Sequence, residues 1–186
     1  MRNWRDFMRL FERALGAIDE PRFFRTERGY QGELLAELRG RLPEAALPGD
    51  PIVEQEYQKT IPRHNLTIRP DLIIHVPFER GETASRKEGN FVAVEIKRDR
   101  NDVKTAFDNL CLMATELRYP LTLFVMVDAE NTYASMCPMR IAGQTVCYAV
   151  SLRDGEPVIR RRLPRRGRPA AVRRRIVKRR RARRAR

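Results

Sequence analysis

The chain has 186 residues, enough for one domain with a hydrophobic core, and no apolar run of about 18 residues, so a membrane-spanning protein is not expected. Its formal charge of +14 is unevenly divided: residues 159–186 hold 16 of the 38 Arg and Lys residues and no acid, which leaves 22 bases against 24 acids in residues 1–158. The three cysteines lack close pairing or zinc-site spacing, which indicates reduced thiols in a cytoplasmic protein and argues against secretion.

The first predicted element is an amphipathic helix over residues 1–18. Its apolar side chains recur at spacings of three and four, namely Trp4, Phe7, Met8, Phe11, Leu15 and Ile18. We expect this helix, as part of residues 1–20, to pack on a core domain of residues 21–158. A transit peptide is the alternative interpretation, but the acids Asp6, Glu12 and Asp19 argue against it.

A second helix is predicted from about Arg28 to Leu42, ending before Pro43. Glu33 and Glu37 lie one turn apart on a face that adjoins its apolar stripe, so either is a candidate to face the sheet. Residues 52–61 then alternate like a strand with one polar face, which predicts a first strand near a sheet edge. Glu56 and Lys59 are candidates to reach the metal site or the substrate, but exposure to solvent on the strand is the preferred interpretation of both.

Residues 69–76 and 91–97 are β-branched, apolar runs bounded by Pro, Gly and Asn, and they predict the two strands of a hairpin. Strand alternation places Glu95 and Lys97 on one face with Phe91 and Ala93, and Val92, Val94 and Ile96 on the other. Asp71 begins the first strand, which an antiparallel hairpin brings beside the end of the second. Three charged groups are therefore expected to converge at one end of an apolar sheet.

Such charges are costly among buried strands unless each finds a partner or a metal. Two neighbouring carboxylates repel each other, and Mg²⁺ commonly takes one or two carboxylates while leaving its other positions to water and phosphate. A lysine on the same face is suited to orient an attacking water or to stabilise charge that develops on phosphorus.

Pro70-Asp71 followed by Glu95-Ile96-Lys97 resembles the signature of the PD-(D/E)XK nuclease superfamily. The resemblance implies an α/β, restriction-endonuclease-like fold with an αβββαβ core, a central mixed sheet of four to five strands flanked by helices. It also implies that Asp71, Glu95 and the backbone carbonyl of Ile96 bind Mg²⁺ or Mn²⁺ and that Lys97 assists the nucleophile. An acid from the preceding helix often joins this site, and Glu33 is the matching candidate.

Other polar residues near this signature are not assigned to the site. Asp102-Val103-Lys104 also fits its second half, but Asp102 stands in a polar stretch that begins a helix. His75 shares strand parity with Asp71 but lies four residues further along, and His64 is on a loop without an evident partner.

The second half of the core domain completes the predicted sheet. Residues 103–117 predict a helix, and the almost wholly apolar residues 121–127 predict a strand in the middle of the sheet, reached by a parallel crossover. Residues 145–152 predict one more strand, after which Asp154-Gly155 turns the chain into the basic tail.

The tail, residues 159–186, is expected to be disordered or to become helical on binding, since a block of like charge cannot bury itself. Nucleic acid is the expected partner, DNA first and RNA second, and the alternatives are anionic lipid, ribosomal RNA or a role in solubility only. The residues expected to contact nucleic acid are Arg160, Arg161, Arg162, Arg165, Arg166, Arg173, Arg174, Arg175, Lys178, Arg179, Arg180 and Arg181.

The expected function is that of a magnesium-dependent nuclease that hydrolyses phosphodiester bonds of DNA. The alternative is a non-catalytic, basic nucleic-acid-binding protein that keeps a nuclease-like fold. A membrane partner is not expected, a homodimer is left open, and a bacterial protein of this kind would be associated with the nucleoid.

Overall fold

A computed structural model describes residues 4–45, 47–55, 68–77 and 88–165. Three α-helices and six strands build this part of the chain, and the expected α/β class is confirmed in this coarse form. The helices are α1 (Trp4–Gly16), α2 (Glu27–Arg41) and α3 (Val103–Thr115), and the strands are β1 (Ile52–Gln55), β2 (Leu72–His75), β3 (Asn90–Lys97), β4 (Leu121–Val127), β5 (Thr145–Arg153) and β6 (Glu156–Arg162).

The six strands form a single mixed sheet in the order in which they occur along the chain. β3, β4 and β5 run parallel, whereas β1, β2 and β3 are joined antiparallel, as are β5 and β6. α3 makes the crossover between β3 and β4, as predicted. All seven residues of β4 are buried, which agrees with its expected place in the middle of the sheet.

The sheet has six strands, so the expected count of four to five was too low. The extra strand, β6, follows a two-residue turn in which Asp154 and Gly155 both have positive φ, 52° and 82°. This is the backbone that a tight antiparallel hairpin requires, and Asp-Gly is its preferred sequence. The expected boundary of the basic tail at residue 159 therefore falls inside β6, whose arginines are part of the sheet.

Helices cover both faces of the sheet. α1 and α2 pack on the face that carries Val94, Ile96 and Val125, and the ring of Phe11 lies 5.5 Å from that of Tyr148 on β5. α3 packs on the opposite face, where Phe107 stacks on Phe124 with ring centroids 4.8 Å apart. Large apolar surfaces are thereby removed from water on both sides of the sheet, which is the main term that stabilises such a layered fold.

The β2–β3 hairpin contains one irregularity that the alternation rule did not predict. Ile74 pairs with Val92 while the next residue, His75, pairs with Asn90, so the register passes over Phe91. Phe91 consequently lies in the core beneath α1 and α2, together with Val92, rather than on the face of Glu95. An extra residue in a strand interrupts the alternation of side chains, so residues before it point to the face opposite to the one that simple alternation predicts. The prediction for Phe91 was wrong for this reason.

Several predictions fall outside the described residues: the strand beyond Gln55 with Glu56 and Lys59, the loop residue His64, and the tail from Arg166 onward with Arg173, Arg174, Arg175, Lys178, Arg179, Arg180 and Arg181. Within the described ranges, no helix combines the length and hydrophobicity needed to cross a bilayer.

Candidate functional site

The three charged residues of the hairpin lie together where β2 begins and β3 ends. Leu72 pairs with Val94, which places Asp71 opposite Glu95, and Lys97 is the last residue of β3. The antiparallel register thus brings into contact groups that are 26 residues apart in the chain. This juxtaposition is the one that the hairpin topology predicts.

The ammonium group of Lys97 is the centre of the cluster. Its Nζ lies 3.0 Å from Oδ2 of Asp71, 3.5 Å from Oε2 of Glu95 and 2.7 Å from the carbonyl oxygen of Ile96. A third carboxylate, Glu27 at the start of α2, accepts a hydrogen bond from the same nitrogen at 2.9 Å. One cation, with 12% of its side chain exposed, is therefore shared by three acids from three separate parts of the chain.

Asp71 is held in place by two contacts with its surroundings. Its Oδ2 accepts a hydrogen bond of 2.6 Å from the backbone N–H of Ile96, which ties the start of β2 to the end of β3. Its backbone carbonyl accepts a hydrogen bond of 2.7 Å from the side chain of Gln31, a buried residue of α2. The first contact fixes the direction of the carboxylate, the second holds the backbone of Asp71, and neither neutralises the charge.

Glu95 is the most buried acid of the cluster, with 1% of its surface exposed. Burial, together with the negative charge of Asp71, raises the pKa of Glu95 to about 8, against an ordinary value of 4.5. Lys97 opposes this shift, as does the side chain of Asn109 on α3, which donates a hydrogen bond of 3.3 Å to Oε1 of Glu95. A carboxyl group in this position strongly favours an additional positive charge beside it.

For Lys97, the effect of neighbouring charges on the pKa outweighs the effect of burial. Burial disfavours its charged form, but the carboxylates of Asp71 and Glu95 outweigh that cost and raise the pKa of Lys97 above its ordinary value. The side chain is therefore protonated at neutral pH and acts as a hydrogen-bond donor, not as a base.

The helical acid at the cluster is Glu27 rather than Glu33, the residue proposed from the sequence. At about 100° per residue, Glu33 is roughly 120° around α2 from Glu27. It is half-buried, and among the described residues the ion pairs of Lys97 involve Glu27 instead. The other candidate on this helix, Glu37, forms an ion pair with Arg41.

Sequence reasoning missed Glu27, Gln31 and Asn109. Gln31 carried a usable signal, because it lies among the apolar positions of α2, at four residues from Leu35 and seven from Leu38, and a polar residue in such a stripe is usually held by a specific contact. Glu27 follows the N-cap residue Thr26, where an acid is explained equally well by the helix dipole. Nothing in its spacing distinguishes Asn109.

The donor groups that could hold a metal ion are the carboxylates of Asp71 and Glu95 and the carbonyl oxygen of Ile96. All three are hard oxygen donors, which suit Mg²⁺. In the part of the chain that the structure describes, no group of three or more His, Cys, Asp or Glu side chains is arranged to hold a metal by itself.

A cleft of about 470 Å³ opens beside the cluster at the carboxyl ends of β3 and β4. Its lining includes Glu27 and also Met126, the register partner of Lys97. Arg98 crosses the cleft to bind Asp128 at 2.9 Å. Of the four residues of the cluster, Glu27 lines this cleft, whereas Asp71, Glu95 and Lys97 lie behind it and are not part of its lining.

Residues outside this cluster have separate partners. His75 contacts Oε2 of Glu54 on the neighbouring strand at 2.6 Å, a contact between β1 and β2 rather than with the site. Arg160 pairs with Glu130 at 3.3 Å and Arg161 with Glu12 at 3.1 Å, while Arg162 and Arg165 are exposed.

Comparisons of the chain with protein-family models, with curated proteins and with solved structures give no match.

Proposed function

We propose that the protein is a Mg²⁺-dependent phosphodiesterase that cleaves DNA, with Asp71, Glu95 and Lys97 at its centre. The observation that carries the proposal is the convergence of two carboxylates and one lysine at the end of a buried hairpin, beside an open cleft. The pattern Pro70-Asp71 with Glu95-Ile96-Lys97 and the resemblance to PD-(D/E)XK nucleases support the same interpretation.

The donor set fits Mg²⁺. Two carboxylates and a backbone carbonyl are typical of its protein ligands. The pKa of Glu95 is raised first by burial and then by repulsion with Asp71, and a divalent cation would relieve that repulsion. When bound, the ion supplies Lewis-acid polarisation of a phosphoryl oxygen and acidifies a coordinated water. Mn²⁺, which prefers the same oxygen ligands, is expected to substitute for it.

The chain's own residues supply the rest of the chemistry. Lys97 is protonated, so it donates hydrogen bonds to the attacking water or to the negative charge that develops on the phosphate. Glu27 binds the same ammonium and limits the positions that Lys97 adopts. Asn109 and Gln31 hold Glu95 and Asp71 in place, which keeps the site organised before the substrate arrives.

The test is a cleavage assay of the purified protein on supercoiled and linear DNA with Mg²⁺. Lys97→Ala is expected to lower the cleavage rate by at least about 100-fold, since one charged donor to a developing oxyanion typically contributes that much. DNA binding, measured with chelator present, is expected to stay close to that of the wild type. Lys104→Ala is the matched control, because this lysine is 83% exposed on α3 and should be dispensable.

The interpretation of Lys97→Ala requires that the variant folds, because it leaves buried acids without their cation. Lys97→Met keeps the aliphatic side chain, and the circular dichroism spectra of both variants serve as the check. A folded Lys97 variant that cleaves DNA at the normal rate would contradict the site assignment.

A second candidate function is favoured by the completeness of the ion cluster. Lys97 already has Glu27, Asp71 and the Ile96 carbonyl within 3.0 Å, which is also what a purely structural salt-bridge network shows. A non-catalytic nucleic-acid-binding protein would hold DNA equally well with chelator and with Mg²⁺. It would also yield no product at any concentration of Mg²⁺ or Mn²⁺, whereas the nuclease requires the ion for turnover.

A further inference from the structure

The sheet register places two arginines of β6 on the same face as the proposed catalytic residues. Lys97 pairs with Met126, Met126 with Ala149, and Ala149 with Arg160. Two residues earlier on β3, Glu95 begins a parallel row that ends at Arg162. Directly paired residues of a sheet project from the same face, so Arg160 and Arg162 share the α3 face with Glu95 and Lys97.

Arg161 lies between these two arginines but belongs to the opposite face. Its row runs through Tyr148 and Val125 to Ile96, all of which face α1 and α2. There its guanidinium binds Oε1 of Glu12, which also accepts a hydrogen bond from the Tyr148 hydroxyl. The three consecutive arginines therefore differ in position: Arg161 makes a structural contact with Glu12, whereas Arg160 and Arg162 lie on the opposite face of the sheet.

Two neighbouring clefts lie between Glu27 of the cluster and the two arginines. The cleft beside Glu27 extends to Asp128 and Ala129, just after β4. A second cleft, of about 500 Å³, begins at the next residue, Glu130, and is lined by residues 130–132 and by Arg160, Arg161 and Arg162. Arg161 lines this cleft as well, but its guanidinium is already paired with Glu12. Residues 128–132 therefore border both clefts between Glu27 and β6.

We propose that Arg160 and Arg162 form a phosphate-binding subsite that holds the DNA backbone on one side of the cleaved bond. Three inter-strand spacings separate β3 from β6, about 14 Å, which corresponds to about four base-pair steps along a duplex. The subsite is distinct from the basic residues beyond Arg165, because the sheet fixes its arginines at a set distance from Lys97. This inference rests on the proposed function, since it assumes that DNA is the substrate.

Glu130 occupies the position where the phosphate would bind. It pairs with Arg160 at 3.3 Å and with Arg153, and its side chain is 60% exposed. Exposed pairs of this kind are weak because water screens them, so a phosphate can displace the carboxylate at little cost. Glu130 therefore acts as a weak competitor that keeps Arg160 paired while DNA is absent.

The test measures binding of the full-length protein to a 20-base-pair duplex, in chelator, over a range of salt concentrations. Arg160→Gln and Arg162→Gln are each expected to weaken binding and to reduce the slope of log K against log salt by about 1, as expected when one phosphate contact is lost. Arg161→Gln removes the same charge one residue away and is expected to leave the slope unchanged. If all three variants change the slope equally, the subsite does not exist and the arginines act only through net charge.

Substitution of Glu130 provides a test in which DNA binding is expected to become tighter rather than weaker. Glu130→Gln should bind the duplex more tightly than the wild type, by about threefold or more, because it frees Arg160 and Arg153 for phosphate. Glu12→Gln, which removes the acid paired with Arg161, is the matched control and should not change affinity. Equal or weaker binding by Glu130→Gln would overturn the proposal.

These measurements require no cleavage, so they separate this inference from the proposed function. Suppose that the protein never cuts DNA, but that the Arg160 and Arg162 variants reduce the slope of log K against log salt. This result would support the subsite and contradict the nuclease. Cleavage that depends on Lys97, with no difference among the three arginine variants, would support the nuclease and overturn the subsite.

Discussion

Lys97 shows how a half-buried lysine is stabilised when it must remain charged. Removing an ammonium group from water costs several kcal/mol, and here the cost is offset by Asp71, Glu95 and Glu27 and by one backbone carbonyl. The three acids outnumber the single cation, so the cluster keeps a net negative charge that burial makes unfavourable. Glu95, the most buried of the acids, experiences this most strongly.

The raised pKa of Glu95 predicts how stability changes with pH when no divalent ion is bound. The folded protein keeps the Glu95 proton up to about pH 8, whereas the unfolded chain releases it near 4.5. The stabilisation contributed by this proton is therefore complete below about pH 4.5 and is lost as the pH rises through 8. Chelated protein should lose on the order of 1–3 kcal/mol of unfolding free energy from this group between pH 5 and pH 8.

Urea denaturation at several pH values, with chelator present, measures this effect. Glu95→Gln has no proton to lose, so its stability should decline less steeply over the same range. Glu116→Gln, at an exposed position on the loop after α3, is the control and should follow the wild type. Parallel pH profiles for Glu95→Gln and wild type would show that Glu95 titrates in the ordinary range.

At the scale of elements, the first turn of α2 contributes to the site through its cap. The hydroxyl of Thr26 accepts a hydrogen bond of 3.0 Å from the backbone N–H of Gly29, which satisfies one of the free donors at the helix start. The next residue, Glu27, binds Lys97, and Gln31, one turn further along, binds the backbone of Asp71. The beginning of α2 is thereby attached to the start of β2 and to the end of β3.

Thr26→Ala should lower the unfolding free energy by about 1 kcal/mol, the usual cost of losing an N-cap. Because the first turn frays more readily without its cap, cleavage should also decline even though Thr26 itself does not contact the cluster. Thr26→Ser keeps the hydroxyl and should restore both properties, as measured by urea denaturation and by the DNA cleavage assay. An Ala variant as stable as the wild type would show that tertiary contacts alone hold this turn.

For the whole molecule, the distribution of charge is the dominant feature. Residues 1–158 are nearly balanced in charge, with 22 bases and 24 acids, and the acids of the cluster and its cleft are close together. If DNA is the substrate, these acids would repel its phosphates as it approaches the cluster, as long as no divalent ion is bound there. The arginines of β6 and the basic residues beyond Arg165 are therefore the attractive part of the molecule at long range.

The end of β6 determines which truncation separates binding from folding. Removing residues 166–186, which hold 12 Arg and Lys residues, should weaken DNA binding and flatten its salt dependence while the melting temperature stays the same. Removing residues 159–186 takes away four of the seven residues of β6, including Ile159, which packs on the core beneath α1. This longer deletion should lower the melting temperature as well.

Thermal melting and salt titrations on the two truncated proteins measure these outcomes. If the shorter deletion also lowers the melting temperature, the tail contributes to the fold. If it leaves the salt dependence of DNA binding unchanged, the tail is not a binding element.

Local patterns were sufficient to predict most of the architecture. The helices from three- and four-residue spacing, the apolar central strand and the charged hairpin all follow from chemistry that nearby residues carry. The sixth strand was missed although Asp154-Gly155 is a strong hairpin signal, because its arginines were counted with the basic block that follows. Phe91 was misplaced because an irregular register changes the facing of a side chain without changing the composition of the strand.

By itself, the sequence determined that Asp71, Glu95 and Lys97 meet, because an antiparallel hairpin dictates which of its residues are neighbours. Only the tertiary structure decided that Glu27 rather than Glu33 completes the cluster, since helix rotation and the position of α2 depend on how its whole apolar face packs. The same holds for the arginines of β6, which are alike in the sequence. Strand pairing across the sheet separates them, so that Arg160 and Arg162 lie on the face of Lys97 while Arg161 binds the opposite layer.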